Sequence, residues 1–504
     1  MTAIAARFAG GAADDVYITY RYADNLAAGR GLVFNPGERV FGISDPGVAV
    51  LLAGLHRATG VAIPVLGTAV TAAALLVIAG VLLAASREAG REAEGWLGGT
   101  LLLGSFYVWM GQGAGPLPAL ACLLLAARLA GARPRGAGLL AGLAFCCRPD
   151  AALGAAVLLL LLVLEARDRP PPGGDSGARW RRPLRYGASF AAVAALALAA
   201  AWLYFGTPVP GTLEAKRAFA ALAPRDLTGL AFWQPAVHWF VVLAGWGGPA
   251  FLILGLLGQA PLYRGAGRPG RLLVLDSLAL AVFYTVARVP FFIWYTIPIA
   301  IAAVHGAAYL TGEAARRGLA AGRGLAAGAG QATAARRVRR AVMSLAAALG
   351  AALALGAIAA DVRWWRTARP DWRLFAYRRA GEWIRAHTPS GADVAFDEVG
   401  ILGYYSDRRI LDLVGLVSPG SRPYAAVGDT LGAFLAKPTD LLVLHTYDRR
   451  GGTRPILNRP WFGAAYEQIA TIKDPDSPAD IRIYRRRPGR PVPPARPPSP
   501  REHG

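Results

Sequence analysis

Charge is scarce in this chain, and lysine is scarcer still. Only 17% of its 504 residues are charged, where a soluble globular chain carries about 25%. Three lysines, Lys216, Lys437 and Lys473, stand among 54 basic residues, so arginine supplies nearly all of the formal net charge of +22. A disordered chain is excluded, because 54% of the residues are apolar. The three cysteines, Cys122, Cys146 and Cys147, lie in apolar stretches and offer neither a disulfide framework nor a metal cluster. Residues Met1–Ala13 lack a charged stretch followed by an apolar core, so they do not read as a signal peptide.

What is present is apolar sequence in long runs. Ten runs can be marked: Val61–Ala85, Trp96–Met110, Pro116–Ala127, Gly136–Cys147, Ala151–Leu164, Gly187–Phe205, Val237–Leu257, Leu272–Ala287, Phe291–Leu310 and Ala341–Ala360. A membrane span needs roughly 20 apolar residues, and several of these runs are shorter. Short segments rich in Ala and Gly and punctuated by Pro suit a bundle with broken helices. The composition predicts a polytopic α-helical membrane protein. The basic excess would also suit a nucleic-acid surface, but the arginines cluster between apolar runs, where they set membrane orientation. No nucleic-acid partner is expected; the lipid bilayer is.

Arg167–Arg185 holds six arginines, Arg264–Arg271 three and Glu313–Arg340 seven. With ten spans and the stretch before Val61 outside, all three basic loops fall on the cytoplasmic side. The same parity puts Thr207–Ala236 and everything after Asp361 outside. Eight spans, with the second and third runs merged and the fourth and fifth likewise, give the same sidedness. The expected organisation is therefore an extracytoplasmic first loop (1–60), a bundle of eight to ten spans (61–360), an extracytoplasmic α/β domain (361–487) and a disordered Pro/Arg tail (488–504). In the α/β domain, Leu374–His387 has helical spacing. Val394–Phe396, Ile410–Val417, Leu441–Leu444 and Ile481–Tyr484 read as buried strands. The expected location is the cell (inner or plasma) membrane.

The chemistry concentrates in Asp14-Asp15-Val16-Tyr17-Ile18-Thr19-Tyr20-Arg21-Tyr22. Two adjacent carboxylates followed by aromatics and an arginine lie where an external loop meets the membrane. A solvated interfacial helix with a tyrosine belt is one reading. A carboxylate that takes a proton from a hydroxyl nucleophile, beside aromatics that flank sugar or lipid, is the other. Lys216, Arg148 and Arg288 are cations at external span ends, suited to a phosphate. For Arg148 a structural pair with Asp150 competes with that role. Trp294 and Tyr295 are either substrate-stacking rings or part of an aromatic belt. Asp397 and Glu398 read as a loop carboxylate pair, with contact to an acceptor groove as the alternative. A divalent ion near Asp14 or Asp15 is compatible with acidic oxygens, but no ligand set is legible.

The run Asp14–Tyr22, continued by Asn25–Gly31 and Leu32-Val33-Phe34-Asn35-Pro36-Gly37-Glu38, resembles the first external loop of GT-C-fold glycosyltransferases that use polyprenyl-phosphate sugars. The similarity is to the bacterial group containing the terminal arabinofuranosyltransferases of the actinobacterial cell wall. Arg148-Pro149-Asp150, Tyr204–Pro210 with Lys216, Trp294-Tyr295 with Pro298, Asp397–Tyr405 and Leu411–Leu416 follow in the same order. The resemblance implies transfer of a sugar from a polyprenyl-phosphate donor to a cell-envelope glycan, lipid or protein, with inversion and an Asp base. It implies Asp15 or Asp14 as base, with Asp15 favoured for its place beside the Tyr17–Tyr22 helix. Lys216, Arg148 and Arg288 would meet the donor phosphate, and Tyr17, Arg21, Tyr22, Trp294 and Tyr295 the substrate. It also implies a membrane helix before Asp14 that this sequence does not contain. Three positions depart from the family pattern: Phe41 stands where a glutamate is frequent, Gln112–Pro116 lacks an acid, and Gly211 follows Pro210 in place of Asn. A lipid-linked sugar flippase and an inactive membrane-anchored binding protein are the alternatives.

Overall fold

The computed structural model describes residues 12–168, 177–220, 227–327, 334–367, 371–446, 454–475 and 477–498. Parts of the basic loops and of the loop after Gly206, and the last residues of the Pro/Arg tail, lie outside the described residues. Each of the ten apolar runs forms a helix or a pair of helices. The first loop contributes α1 (Asp14–Ala27) and α2 (Pro46–Thr59). The bundle follows with α3 (Ile63–Glu88), α4 (Glu92–Gly104), α5 (Pro116–Leu129), α6 (Pro134–Cys147), α7 (Ala151–Asp168) and α8 (Arg181–Phe205). Beyond a short helix α9 (Thr212–Ala220) come α10 (Trp233–Leu243), α11 (Gly248–Leu257), α12 (Gly267–Val286), α13 (Ile297–Ala327) and α14 (Ala334–Thr367).

Among the described residues, five helical stretches are long and apolar enough to cross a membrane, and six if the bent pair α10–α11 counts as one. That pair turns through 113° at Gly245–Gly247. α5 and α6 have 14 residues each, about 21 Å at 1.5 Å per residue, short of a hydrocarbon core of about 30 Å. Proline at the first turn of both helices fixes where they start. The pairwise merging that would give eight spans does not occur. The turn at residues 110–115 separates the second and third runs, and Arg148, extended before Pro149, separates the fourth and fifth.

After α14, the helix α15 (Trp372–His387) leads into a five-stranded sheet of order β2-β1-β3-β5-β4. β1 (Asp393–Phe396), β2 (Arg409–Asp412) and β3 (Leu441–His445) are parallel; β4 (Tyr466–Ile472) and β5 (Ile481–Arg486) close one side antiparallel. Four strands match the apolar runs. β4 escapes the pattern because its burial is mostly partial and its residues are mixed in polarity. Between β1 and β2 lies α16 (Gly400–Ser406). Side chains alternate faces along each strand. Val394, Phe396, Ile410, Val443 and Ile483 join the same apolar core as the membrane bundle, while Ala395, Leu411, Leu442, Leu444 and Tyr484 form a second core on the outer face. The α/β unit is thus packed onto the first loop.

Candidate active site

Helix α1 turns two adjacent aspartates toward different neighbours. Neighbours on a helix point about 100° apart, whereas residues three, four and seven apart share a face. Asp14, Tyr17 and Arg21 form one stripe, turned toward the α/β unit. The Asp14 carboxylate accepts the backbone N–H groups of Gly400 (3.0 Å) and Ile401 (2.8 Å). Tyr17 packs among Tyr404 and Tyr405. Arg21 donates to the carbonyls of Phe34 (2.7 Å), Gly403 and Arg408. Burial pushes the Asp14 carboxyl up to about 7, aided by the charges of Glu398 and Asp15 and opposed by its two backbone donors.

Asp15 and Thr19, four residues apart, face the other way. Asp15 Oδ2 lies 3.5 Å from Lys216 Nζ, with its side chain 36% exposed against 12% for the lysine. Thr19 Oγ1 donates to Asp45 Oδ1 at 2.7 Å. The Asp45 carboxyl is itself raised by burial. Lys216 stands over the rings of Phe292, Trp294 and Tyr295 at 4.2, 4.9 and 5.6 Å. Such an aromatic cage holds a cation by the ring quadrupoles.

Two polar cavities meet here. The first, of 40 Å³, is walled by Asp15, Thr19, Asp45, Arg148, Lys216 and Trp294, among others. The second, of 170 Å³, is walled by Asp14, Asp15, Lys216, Phe292, Arg373, Asp397, Glu398 and Asp412, among others. Asp15, Ile18, Lys216 and Leu416 border both. A third cavity, of 480 Å³, is apolar and lies within the bundle between α10, α11, α12 and α13. One short turn, Phe292–Thr296, reaches all three: Phe292 borders the second cavity, Trp294 the first and Thr296 the third.

The sequence-named residues divide accordingly. Asp15, Lys216, Arg148, Trp294 and Tyr295 converge, with Asp14 at the rim. Arg148 lines the first cavity, but its guanidinium is already paired with Asp150 (Nε to Oδ1, 2.9 Å), which also accepts from Tyr284. Arg288 does not join them; it sits exposed after α12 with a positive φ of 49°. Tyr17, Arg21 and Tyr22 are buried and away from the cavities. Tyr22 donates to the carbonyl of Val40 and accepts from the N–H of Gly42, shaping the loop rather than facing substrate. Asp45, Thr19 and Phe292 were missed. Asp45 precedes Pro46 at a helix start, which in sequence reads as ordinary capping chemistry. Phe41, at the departing family position, stacks on Phe205 at 4.5 Å. Asp15 faces an ammonium group, and each Asp14 oxygen accepts one N–H donor. Among the described residues no group of three or more His, Cys, Asp or Glu side chains could hold a metal ion.

Comparison with known proteins defines the fold. A family model described as a domain of unknown function, DUF8728, matches residues 365–488, the α/β unit. No curated protein matches the chain by sequence. Among solved structures, ArnT from Cupriavidus metallidurans in the apo state is similar with a TM-score of 0.54 at 14% identity, covering 94% of this chain and 93% of that one. The same protein bound to undecaprenyl phosphate gives 0.54 at 13%, with the same coverage. AglB of Archaeoglobus fulgidus, an archaeal oligosaccharyltransferase in complex with an inhibitory peptide and a dolichol-phosphate, gives 0.49 at 13%, over 86% of this chain and 65% of that one. The fold is therefore that of the GT-C membrane proteins. This chain is a polytopic α-helical membrane protein of that type with a small C-terminal α/β unit.

Proposed function

We propose that the chain is a membrane glycosyltransferase that moves a sugar from a polyprenyl-phosphate donor to a cell-envelope glycan, lipid or protein acceptor at the outer face of the membrane. The observation that carries this reading is the Phe292–Thr296 turn, which links an apolar cavity in the bundle to the paired Asp15 and Lys216. A prenyl phosphate needs that combination: an apolar slot for the tail and a fixed cation for the phosphate at its mouth. The similarity to ArnT bound to undecaprenyl phosphate supports the same donor class. The sequence motifs favour an arabinofuranosyltransferase-like enzyme of cell-wall biogenesis.

In the proposed step, the donor phosphate takes Lys216 as its partner and frees Asp15. The Asp15 carboxylate accepts the proton of an acceptor hydroxyl as its oxygen attacks the anomeric carbon. The bond from that carbon to the phosphate oxygen breaks on the opposite side, which inverts configuration, and polyprenyl phosphate leaves with both bonding electrons. Lys216 stabilises the charge that develops on it, with Arg148, held by Asp150, as a second positive group. Trp294 and Tyr295 flank the sugar.

The test uses purified full-length protein, undecaprenyl-phosphate donors carrying labelled arabinose or mannose and a cell-envelope extract as acceptor, with release of undecaprenyl phosphate as readout. The wild type should release it. Asp15→Asn should lower turnover about 10²–10⁴-fold with the same melting temperature. Lys216→Ala should weaken donor use by about 1.5–3 kcal/mol. Turnover of Asp15→Asn near the wild-type rate would place the base elsewhere. A folded wild type that binds donor and releases nothing would leave a binding protein.

A further inference from the structure

The α/β unit carries a fold without an assigned task, and its contact with α1 suggests one. α16 approaches α1 so closely that only glycine fits. A Cβ built at Gly400 would fall 1.8 Å from the Asp14 carbonyl oxygen, and one at Gly403 would fall 2.8 Å from Phe34 and 3.1 Å from Arg21 Nη1. These glycines are three apart and share one helical face. Over that face run the Asp14 carboxylate bonds to the N–H groups of Gly400 and Ile401 and the Arg21 bond to the Gly403 carbonyl. The first turn of α1 is thus fixed in position and in rotation about its own axis. Asp15 is the next residue of that turn, and its direction follows from where Asp14 is held.

We propose that the α/β unit is the positioning device for Asp15: Asp14, seated against Gly400, is a positioning residue that aims Asp15 at Lys216 and the junction of the two polar cavities. This rests on Asp15 acting as the base. The geometry behind it, the Asp15–Lys216 pair, can be read without any sugar. Lys216 is one of three lysines in the chain, and the other two, Lys437 and Lys473, are exposed. They serve as internal references for chemical labelling.

Purified full-length protein is acetylated briefly with an N-hydroxysuccinimide ester, and the Lys216 label is measured by mass spectrometry relative to Lys437 and Lys473. Asp15→Asn should raise the Lys216 ratio severalfold by removing its ion-pair partner. Gly400→Ala and Asp14→Ala should do the same although both leave Asp15 in place. Asp14→Asn keeps one acceptor oxygen and should fall between them and the wild type. In the undecaprenyl-phosphate release assay, Gly400→Ala and Asp14→Ala should lose about 10²-fold in kcat, the effect of a displacement near 1 Å, with donor KM unchanged within about twofold. Asp14→Asn, again intermediate, carries the test if the alanine variants do not fold. An unchanged Lys216 ratio in Asp14→Asn and in the folded alanine variants would overturn the proposal, as would Asp14→Asn losing as much kcat as Asp15→Asn. No rise in Asp15→Asn would overturn the pair itself. Wild-type turnover in Asp15→Asn sinks the base assignment alone, because the labelling ratios still decide the clamp.

Discussion

Asp14 has a measurable consequence of its own. Burial and the neighbouring charges of Glu398 and Asp15 move its carboxyl from 3.8 to about 7, against the pull of the Ile401 and Gly400 donors; Arg373 is the cation facing it from the α/β unit. The folded protein therefore holds a proton between about pH 4 and pH 7 that the unfolded chain has released. In that window the folded state binds more protons, so stability falls as the pH rises through it. Melting temperature followed from pH 5 to pH 8 should decline in the wild type, and the decline should flatten in Asp14→Asn. Identical slopes in both would mean that Asp14 does not titrate there. The adjacent acids, the one lysine before the α/β unit and the aromatic pair were legible in the sequence because each is a rare residue type in its segment. The contacts that turn the two acids toward different neighbours were not. They set the rotation of α1 and come from residues nearly 390 positions away, such as Gly400 and Ile401.

At the scale of elements, the apolar runs marked the helices well but not their lengths or pairings. Pro116, Pro134 and Pro149 end continuity in ways hydropathy does not register. The bend between α10 and α11 turned one run into two walls of a cavity. That cavity should set the preference for the donor's lipid. Its lining is almost wholly apolar, with Gln259, Ser277 and Thr296 among its few polar groups, and 480 Å³ lies within the range of about 300–1,000 Å³ typical of ligand pockets. Ala281→Phe, on the wall contributed by α12, should obstruct it. The expected result is a raised KM for undecaprenyl-phosphate donors and little change for a short-chain farnesyl-phosphate analogue, with kcat retained for both. Equal effects on long and short donors would show that the tail runs elsewhere, for instance along the outer surface of α8, where Leu196, Trp202 and Leu203 are exposed.

For the whole molecule, the question is which side of the membrane holds the site. The arginines supply the argument. At the end of the bundle remote from Asp15, arginines are held by acids from several helices: Arg128 by Glu88, Arg268 by Glu165, and Arg91 and Arg316 by Glu313. Three arginine-rich loops follow or precede these helix ends in sequence, and their density of positive charge favours the cytoplasmic side. In the proposed orientation Asp15, Lys216 and the α/β unit would face outward, where a polyprenyl-phosphate sugar already flipped across the membrane is available and nucleotide sugars are not. Single cysteines in a background without Cys122, Cys146 and Cys147 test this. Ser390→Cys, exposed between α15 and β1, should react with a membrane-impermeant maleimide in intact cells. Ala89→Cys, exposed between α3 and α4 at the arginine-rich end, should react only after permeabilisation. The opposite pattern would put the site in the cytoplasm and remove the donor class proposed for it. Labelling of both positions in intact cells would mean that α3 and its neighbours do not separate the two ends across a bilayer at all.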